Sequence, residues 1–241
     1  MRTNPANLAY IIPNIFTAAS IFSSIISIIS SINSDFVQAA WLIMLALIFD
    51  GLDGRIARLT NTCSRFGVEF DSLADMVSFG VAPALLMYLF IGHEFGRLGI
   101  SVAALFVIFG AIRLARFNVM TTKIEPSVFI GVPIPTAAVF ISLLVLLFNK
   151  YSLGQDYGLV IVIFSIVVSL LMVSNIRYPS FKKVDYNPKH AMRFFVSILV
   201  VALTIFIFPI EGFSLLFVLY LLYGPARALV LIGKRFSKNS E

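Results

Sequence analysis

Residues 50–75 read DGLDGRIARLTNTCSRFGVEFDSLAD. The stretch lies between two apolar runs, 36–49 and 76–91, and holds five of the chain's twelve acidic residues: Asp50, Asp53, Glu69, Asp71 and Asp75. Residues three or four apart share a helix face. Asp50 and Asp53 therefore stand about 60° apart around one helix, with Gly54 and Ala57 on the same face. Asp71 and Asp75 stack on the next helix, with Gly67 one turn before them. A turn over 59–66 makes the two helices antiparallel neighbours, so four carboxylates converge at one depth near a membrane surface. Glu69 points about 160° away from Asp71 and reads as a surface acid.

The rest of the chain makes that surface a membrane's. Of 241 residues, 59% are hydrophobic and 12% charged, with a mean hydropathy of +0.97. Soluble domains carry about 25% charge, so disorder is excluded and an ordinary soluble domain does not fit. A span needs about 20 mostly apolar residues. Eight segments qualify or come close: 9–31, 36–58, 67–91, 97–116, 132–149, 157–175, 194–210 and 213–232. Leu8–Ile32 is too long for a signal-peptide core and reads as a retained first helix. Longer loops are expected at 117–131 and 176–193. With the N-terminus inside, 16 of the 18 lysines and arginines fall on the inner side and only Arg97 and Lys150 outside, the asymmetry of a membrane topology. The expected fold is all-α: a polytopic membrane helical bundle of about eight transmembrane helices, both termini cytoplasmic. The net charge of +6 then belongs to membrane flanks, and no basic face remains for nucleic acid. Cys63 is the only cysteine, and His93 and His190 are the only histidines. A disulfide within the chain and a thiolate zinc cage are thereby excluded.

Four adjacent carboxylates near a membrane repel one another, and each costs about 2.5–3.5 kcal/mol when placed mid-span. Cations would remove the conflict. Oxygen ligands without His or Cys select Mg²⁺, Mn²⁺ or Ca²⁺, and a pair of such ions suits in-line phosphoryl displacement. Gly54 and Gly67 leave the backbone open to close approach by a phosphate or nucleotide.

The complete 50–75 stretch resembles the signature of the CDP-alcohol phosphatidyltransferases. Three further stretches, 76-MVSFGVAPA-84, 113-RLARFN-118 and 129-FIGVPIP-135, with a weaker fourth at 178-YPSFKK-183, are similar to the integral-membrane phosphatidylserine synthases of that family. The resemblance implies two divalent cations, Mg²⁺ or Mn²⁺, held by Asp50, Asp53, Asp71 and Asp75. It implies Asp75 as general base toward an acceptor hydroxyl, CDP-diacylglycerol as donor, L-serine as acceptor, and phosphatidylserine and CMP as products. A homodimer in the inner membrane, its site open to the cytoplasm, is implied as well. One transmembrane domain over 1–241 would then comprise a six-helix catalytic core (1–175), a cytoplasmic basic loop (176–193) and two additional helices (194–232).

Other residues admit two readings. Arg58 suits a phosphate or a helix C-terminus. Arg113 and Arg116 suit a phosphate, the serine carboxylate or positive-inside anchoring. Asn14 and Thr17 resemble nucleotide contacts of the family, while Pro13 reads as a helix-start residue. Ser20, Ser24, Ser27 and Ser31 form a small-residue packing face, which Ser78 and Ala82 extend below Asp75; Ser78 is also a candidate at the acceptor. Gly131, Pro133 and Pro135 shape either an acceptor pocket or a helix-entry turn. Two rivals stand beside this reading: the same chemistry with glycerol 3-phosphate or inositol phosphate as acceptor, and a cation-coupled transporter, against which the one-sided acids and the lack of a repeat count.

Overall fold

A computed structural model of the chain describes residues 5–62, 64–120, 128–153, 157–179, 199 and 201–239. The elements in chain order are α1 (Pro5–Ile32), α2 (Phe36–Leu59), α3 (Arg65–Asp75), a π-helical turn (Met76–Val81), α4 (Ala82–Phe90), a 3₁₀ turn (Gly92–Phe95), α5 (Arg97–Met120), β1 (Val128–Ile130), α6 (Ile134–Lys150), α7 (Gly158–Val173), β2 (Arg177–Pro179), α8 (201–207) and α9 (Pro209–Asn239). Among the described residues, five segments are long and apolar enough to cross a membrane: Ile11–Ile32, Phe36–Leu59, Arg65–Phe90, Arg97–Val119 and Pro209–Arg227. Ile134–Lys150 and Gly158–Val173 are shorter apolar helices. The chain is a membrane protein.

Small residues let α1 and α2 approach closely, as expected where packing rather than water drives helix association. Ser20, Ser23, Ser24, Ser27, Ser30 and Ser31 of α1 are all buried, as are Ala39, Ala40, Ile43 and Ala46 of α2. Ser27 Oγ donates to the Ala39 carbonyl at 2.8 Å. Two of the other buried serines return their protons within α1, Ser24 to Ser20 O at 2.8 Å and Ser31 to Ser27 O at 2.9 Å. Large apolar side chains on the opposite faces, Phe22, Ile29, Ile32, Trp41 and Ile48, are exposed. That inside-out distribution suits lipid. The interior is built around α6, twelve of whose seventeen residues are buried, and α6 packs against α2, α4, α7 and α9.

Several expectations change. The segment 67–91 is a continuous helical path, but it widens into the π turn immediately after Asp75. Pro13 lies inside α1, not at its start; lacking an N–H it forfeits one backbone bond, which a helix of 28 residues absorbs. The 117–131 loop is shorter than expected, because α5 runs on through Met120. Of the two expected spans after 193, residues 194–198 and 200 of 194–210 lie outside the described residues. The rest is split at 208 rather than at 211–212, and α9 continues to Asn239, beyond the expected end at 232. The basic loop is described only to residue 179, so 180–193, with Lys182 and Lys183, lies outside the described residues, as does Cys63.

The bundle is not purely helical. β1 and β2 pair antiparallel, Phe129 opposite Tyr178, and this ribbon joins the entry of α6 to the end of α7. Gly131 N donates to Ile176 O at 2.9 Å and Val132 N to Leu171 O at 3.1 Å. Gly131 has φ +74°, and a Cβ there would lie 2.4 Å from the Met172 carbonyl oxygen. Only glycine fits both the conformation and the space. The 129–135 stretch is therefore a backbone clamp between α6 and α7. At the opposite end, Glu211 of α9 accepts from Lys150 Nζ at 2.5 Å and from Tyr151 Oη at 2.6 Å, tying the last helix to α6.

Candidate active site

The carboxylates come from two helices that meet at a short turn. α2 ends at Leu59, and α3 begins after Ser64, whose Oγ accepts from Gly67 N at 2.9 Å as an N-cap. Gly67 keeps that corner open: a Cβ on it would stand 3.2 Å from Ser64 Oγ, a tight contact, and 3.6 Å from Asn14 Oδ1. The antiparallel arrangement brings carboxylate oxygens of Asp50, Asp53 and Asp71 within 4.8 Å of one another. Asp75, at the end of α3, lies within electrostatic range of Asp50 and Asp71. All four expected acids are therefore in one cluster.

The donor set fits hard divalent cations. Asp71 Oδ1 and Asp75 Oδ1 are buried with no hydrogen-bond partner, an arrangement that native interiors rarely leave uncompensated. Asp53, only 6% exposed, accepts from the Thr17 hydroxyl at 2.5 Å. Thr17 also lies 3.3 Å from the Pro13 carbonyl; its single proton goes to the nearer carboxylate. Thr17 thus orients an acid, the support that metal-binding carboxylates commonly receive.

An open cleft of about 450 Å³ lies beside the cluster, lined by Pro13, Asn14 and Thr17 of α1, by Asp53, Gly54 and Ala57 of α2, and by Thr62, Ser64, Gly67, Val68 and Asp71. Arg58 leans back over Gly54: a Cβ at Gly54 would lie 3.4 Å from its Nη1.

The two arginines of α5 part company. Arg113 is buried at 8% exposure, lies 5.2 Å from the Phe117 ring, and is within electrostatic range of Asp75. Arg116 instead donates to Val173 O at 3.2 Å and to Asn175 Oδ1 at 2.5 Å, fastening α5 to the end of α7. Ser78 is wholly buried in the π turn and 3.1 Å from Ser20 Oγ. Its hydroxyl is engaged in helix packing.

With this geometry in place, comparison with known proteins is direct. The sequence model of the family described as CDP-alcohol phosphatidyltransferase matches residues 10–173. The chain belongs to the CDP-alcohol phosphatidyltransferase family. It is 52% identical over 239 residues to a Helicobacter pylori protein named CDP-diacylglycerol–serine O-phosphatidyltransferase, covering 98% of this chain and 99% of that one. A Methanocaldococcus jannaschii protein of the same name is 37% identical over 84% of this chain and 90% of its own length. An archaetidylserine synthase of Methanothermobacter thermautotrophicus is 40% identical over 70% of this chain and 69% of its own.

Seen as a CDP-alcohol phosphatidyltransferase, the molecule also engages residues that the sequence reading passed over. Ser64 has a legible signal, a cap residue opening a helix. Thr62 and Val68 line the cleft without one. Asn118, in the 113–118 stretch, donates from Nδ2 to Ser72 Oγ at 2.9 Å. Tyr220 of α9 lies within electrostatic range of Arg113; it is over 100 residues from Arg113 and beyond the span of the family match, so no local pattern points to it.

Proposed function

We propose that this protein is a CDP-diacylglycerol–serine O-phosphatidyltransferase, transferring the phosphatidyl group to the hydroxyl of L-serine and releasing CMP. The observation that carries the reading is the convergence of Asp50, Asp53 and Asp71, with Asp75 in electrostatic range, beside a cleft lined by Asn14, Thr17, Gly54, Ala57 and Gly67. The near-full-length similarity to proteins named for serine transfer supports the acceptor.

Asp50, Asp53, Asp71 and Asp75 would hold two divalent cations, Mg²⁺ or Mn²⁺, which when bound neutralise the cluster and polarise the donor's diphosphate. The cleft between α1, α2 and α3 takes the cytidine nucleotide, with Arg58 at its rim toward a phosphate. Asp75 takes the proton of the serine hydroxyl as that oxygen attacks phosphorus. Its Oδ1, buried and without a partner, is the atom that can accept it. Arg113, buried and within electrostatic range of Asp75, offers a planar, permanently charged fork to the serine carboxylate. Arg116, spent on Val173 and Asn175, braces the site instead, and Ser78 packs beneath it. Among the described residues no Ser–His pair offers a covalent relay, and the reading is a direct transfer from donor to serine.

In this reading the protein spans the cell (inner) membrane about eight times, with both termini and the site on the cytoplasmic side, and acts as a homodimer. A six-helix core to residue 175 carries the chemistry, followed by the basic loop and two further helices. The positive-inside distribution supports this orientation.

The test is CMP release by the purified protein in detergent with Mg²⁺ or Mn²⁺. Serine, glycerol 3-phosphate and inositol phosphate are supplied separately, with ester-linked and ether-linked CDP-lipids as donors. Release with serine alone, abolished by a chelator, is the expected result. Release with another acceptor overturns the acceptor, and no release from folded protein with any acceptor brings the transporter reading forward.

A further inference from the structure

The helix that carries Asp71 and Asp75 has little of its own to hold it. Within α3 only Ala74 is buried, while Phe66, Val68 and Leu73 are more than half exposed. Its N-terminal end is capped locally by Ser64. Its C-terminal end passes into the π turn, where the wider i→i+5 bonding interrupts the regular helix ladder. α3 packs on α1 and on the π turn, but it has no buried apolar face of its own to set its orientation.

Ser72, the neighbour of Asp71, supplies a tie. Its hydroxyl donates to Val68 O at 3.1 Å and accepts from Asn118 Nδ2 at 2.9 Å. Asn118 stands on a firmer base. It lies two residues beyond Arg116, whose two hydrogen bonds hold α5 to Val173 and Asn175. The end of α7 is in turn clamped to 131–132 by backbone bonds. Hydrogen bonds and helix backbone together therefore link the α6–α7 clamp, through Arg116, the last turn of α5, Asn118 and Ser72, to the helix that carries the carboxylates. Because the Ser72 hydroxyl donates and accepts at once, each bond polarises the other.

We propose that Asn118 is a positioning residue for the metal cluster, acting through Ser72 to hold α3 so that Asp71 and Asp75 face Asp50 and Asp53. The inference rests on the reading of the four aspartates as a divalent-cation site. It gives the 113–118 stretch three separate tasks: Arg113 faces the acceptor side, Arg116 braces α5, and Asn118 sets the angle of α3.

The test measures Mn²⁺ binding to the full-length, metal-free protein in detergent, by the electron paramagnetic resonance of free Mn²⁺, beside CMP release. Asn118→Ala and Ser72→Ala each weaken Mn²⁺ binding about five- to tenfold and raise the metal needed for half-maximal release by a similar factor, with the KM for serine unchanged. The double variant is no weaker than the worse single one, since both remove one bond. Ser72→Thr, which keeps the hydroxyl, retains the wild-type midpoint. Singles that bind Mn²⁺ like the wild type, or a double whose loss is the product of the two, overturn the proposal. If Asn118→Ala does not fold, Ser72→Ala against Ser72→Thr decides by the same midpoint. Wild-type protein that binds no Mn²⁺ overturns the cation-site reading together with the proposal; normal wild-type binding and release with unaffected variants overturns the positioning role alone.

Discussion

α6 and α3 are opposites built from the same chain. α6 has twelve buried residues in seventeen, all but Ser142 apolar, and forms the centre of the bundle. α3 has one buried residue in eleven, yet contributes two of the four clustered aspartates. In α6 the side chains are fixed by close packing on every side. In α3 they are fixed by a cap, a π turn and hydrogen bonds, with carboxylate oxygens left buried and unpartnered. Stability and chemistry are thus assigned to different helices, and polar strain concentrates where the site needs it.

That division can be broken most sharply at Asp75. Asp75→Asn removes the proposed proton acceptor and one of four repelling charges. CMP release falls about 10³-fold or more, the range for loss of a general base, while the melting temperature stays level or rises. A variant that unfolds with its activity per folded molecule intact would make Asp75 a structural acid.

Phe140 in α6 is the converse. It is fully buried and packs edge-on against Phe164 with centroids 5.6 Å apart. Phe140→Ala costs about 3–5 kcal/mol of stability, seen as a lower melting temperature. CMP release below the transition stays within about twofold of wild type. A large loss of release from the folded variant would show that the core helix shapes the site directly.

The smallest expected effect sharpens the boundary between the two regions. Thr17 belongs to the packed α1–α2 pair but spends its proton on Asp53. Thr17→Val leaves the melting temperature nearly unchanged and raises the Mn²⁺ concentration for half-maximal release about tenfold, as removal of a hydrogen bond to a metal ligand does. Thr17→Ser restores the wild-type midpoint. A shift in melting temperature without a shift in midpoint would return Thr17 to the packing side.

The cluster was legible because its spacing is local. Asp50 and Asp53 lie within one helical turn, Asp71 and Asp75 within another, and a short turn forces the two helices together. The lipid-facing character was legible because hydropathy is a property of the composition of each segment. Residues between two distant helices were not: Asn118 with Ser72, Arg116 with Asn175, and Tyr220 near Arg113 depend on which faces meet, and no periodicity in either partner records that. Arg113 and Arg116 look alike in sequence, three residues apart. Only the packing of α5 against α7 separates the one held near Asp75 from the one spent on a carbonyl.

By itself, then, the sequence determined a membrane-embedded helical chain with a four-aspartate site between its second and third helices, since periodicity and charge placement act over a few residues. The tertiary structure decided the π turn behind Asp75, the clamp at Gly131, the allotment of the α5 side chains and the tie that holds α3. Those depend on contacts between residues far apart in the chain, where the space left by one helix sets what the next can do.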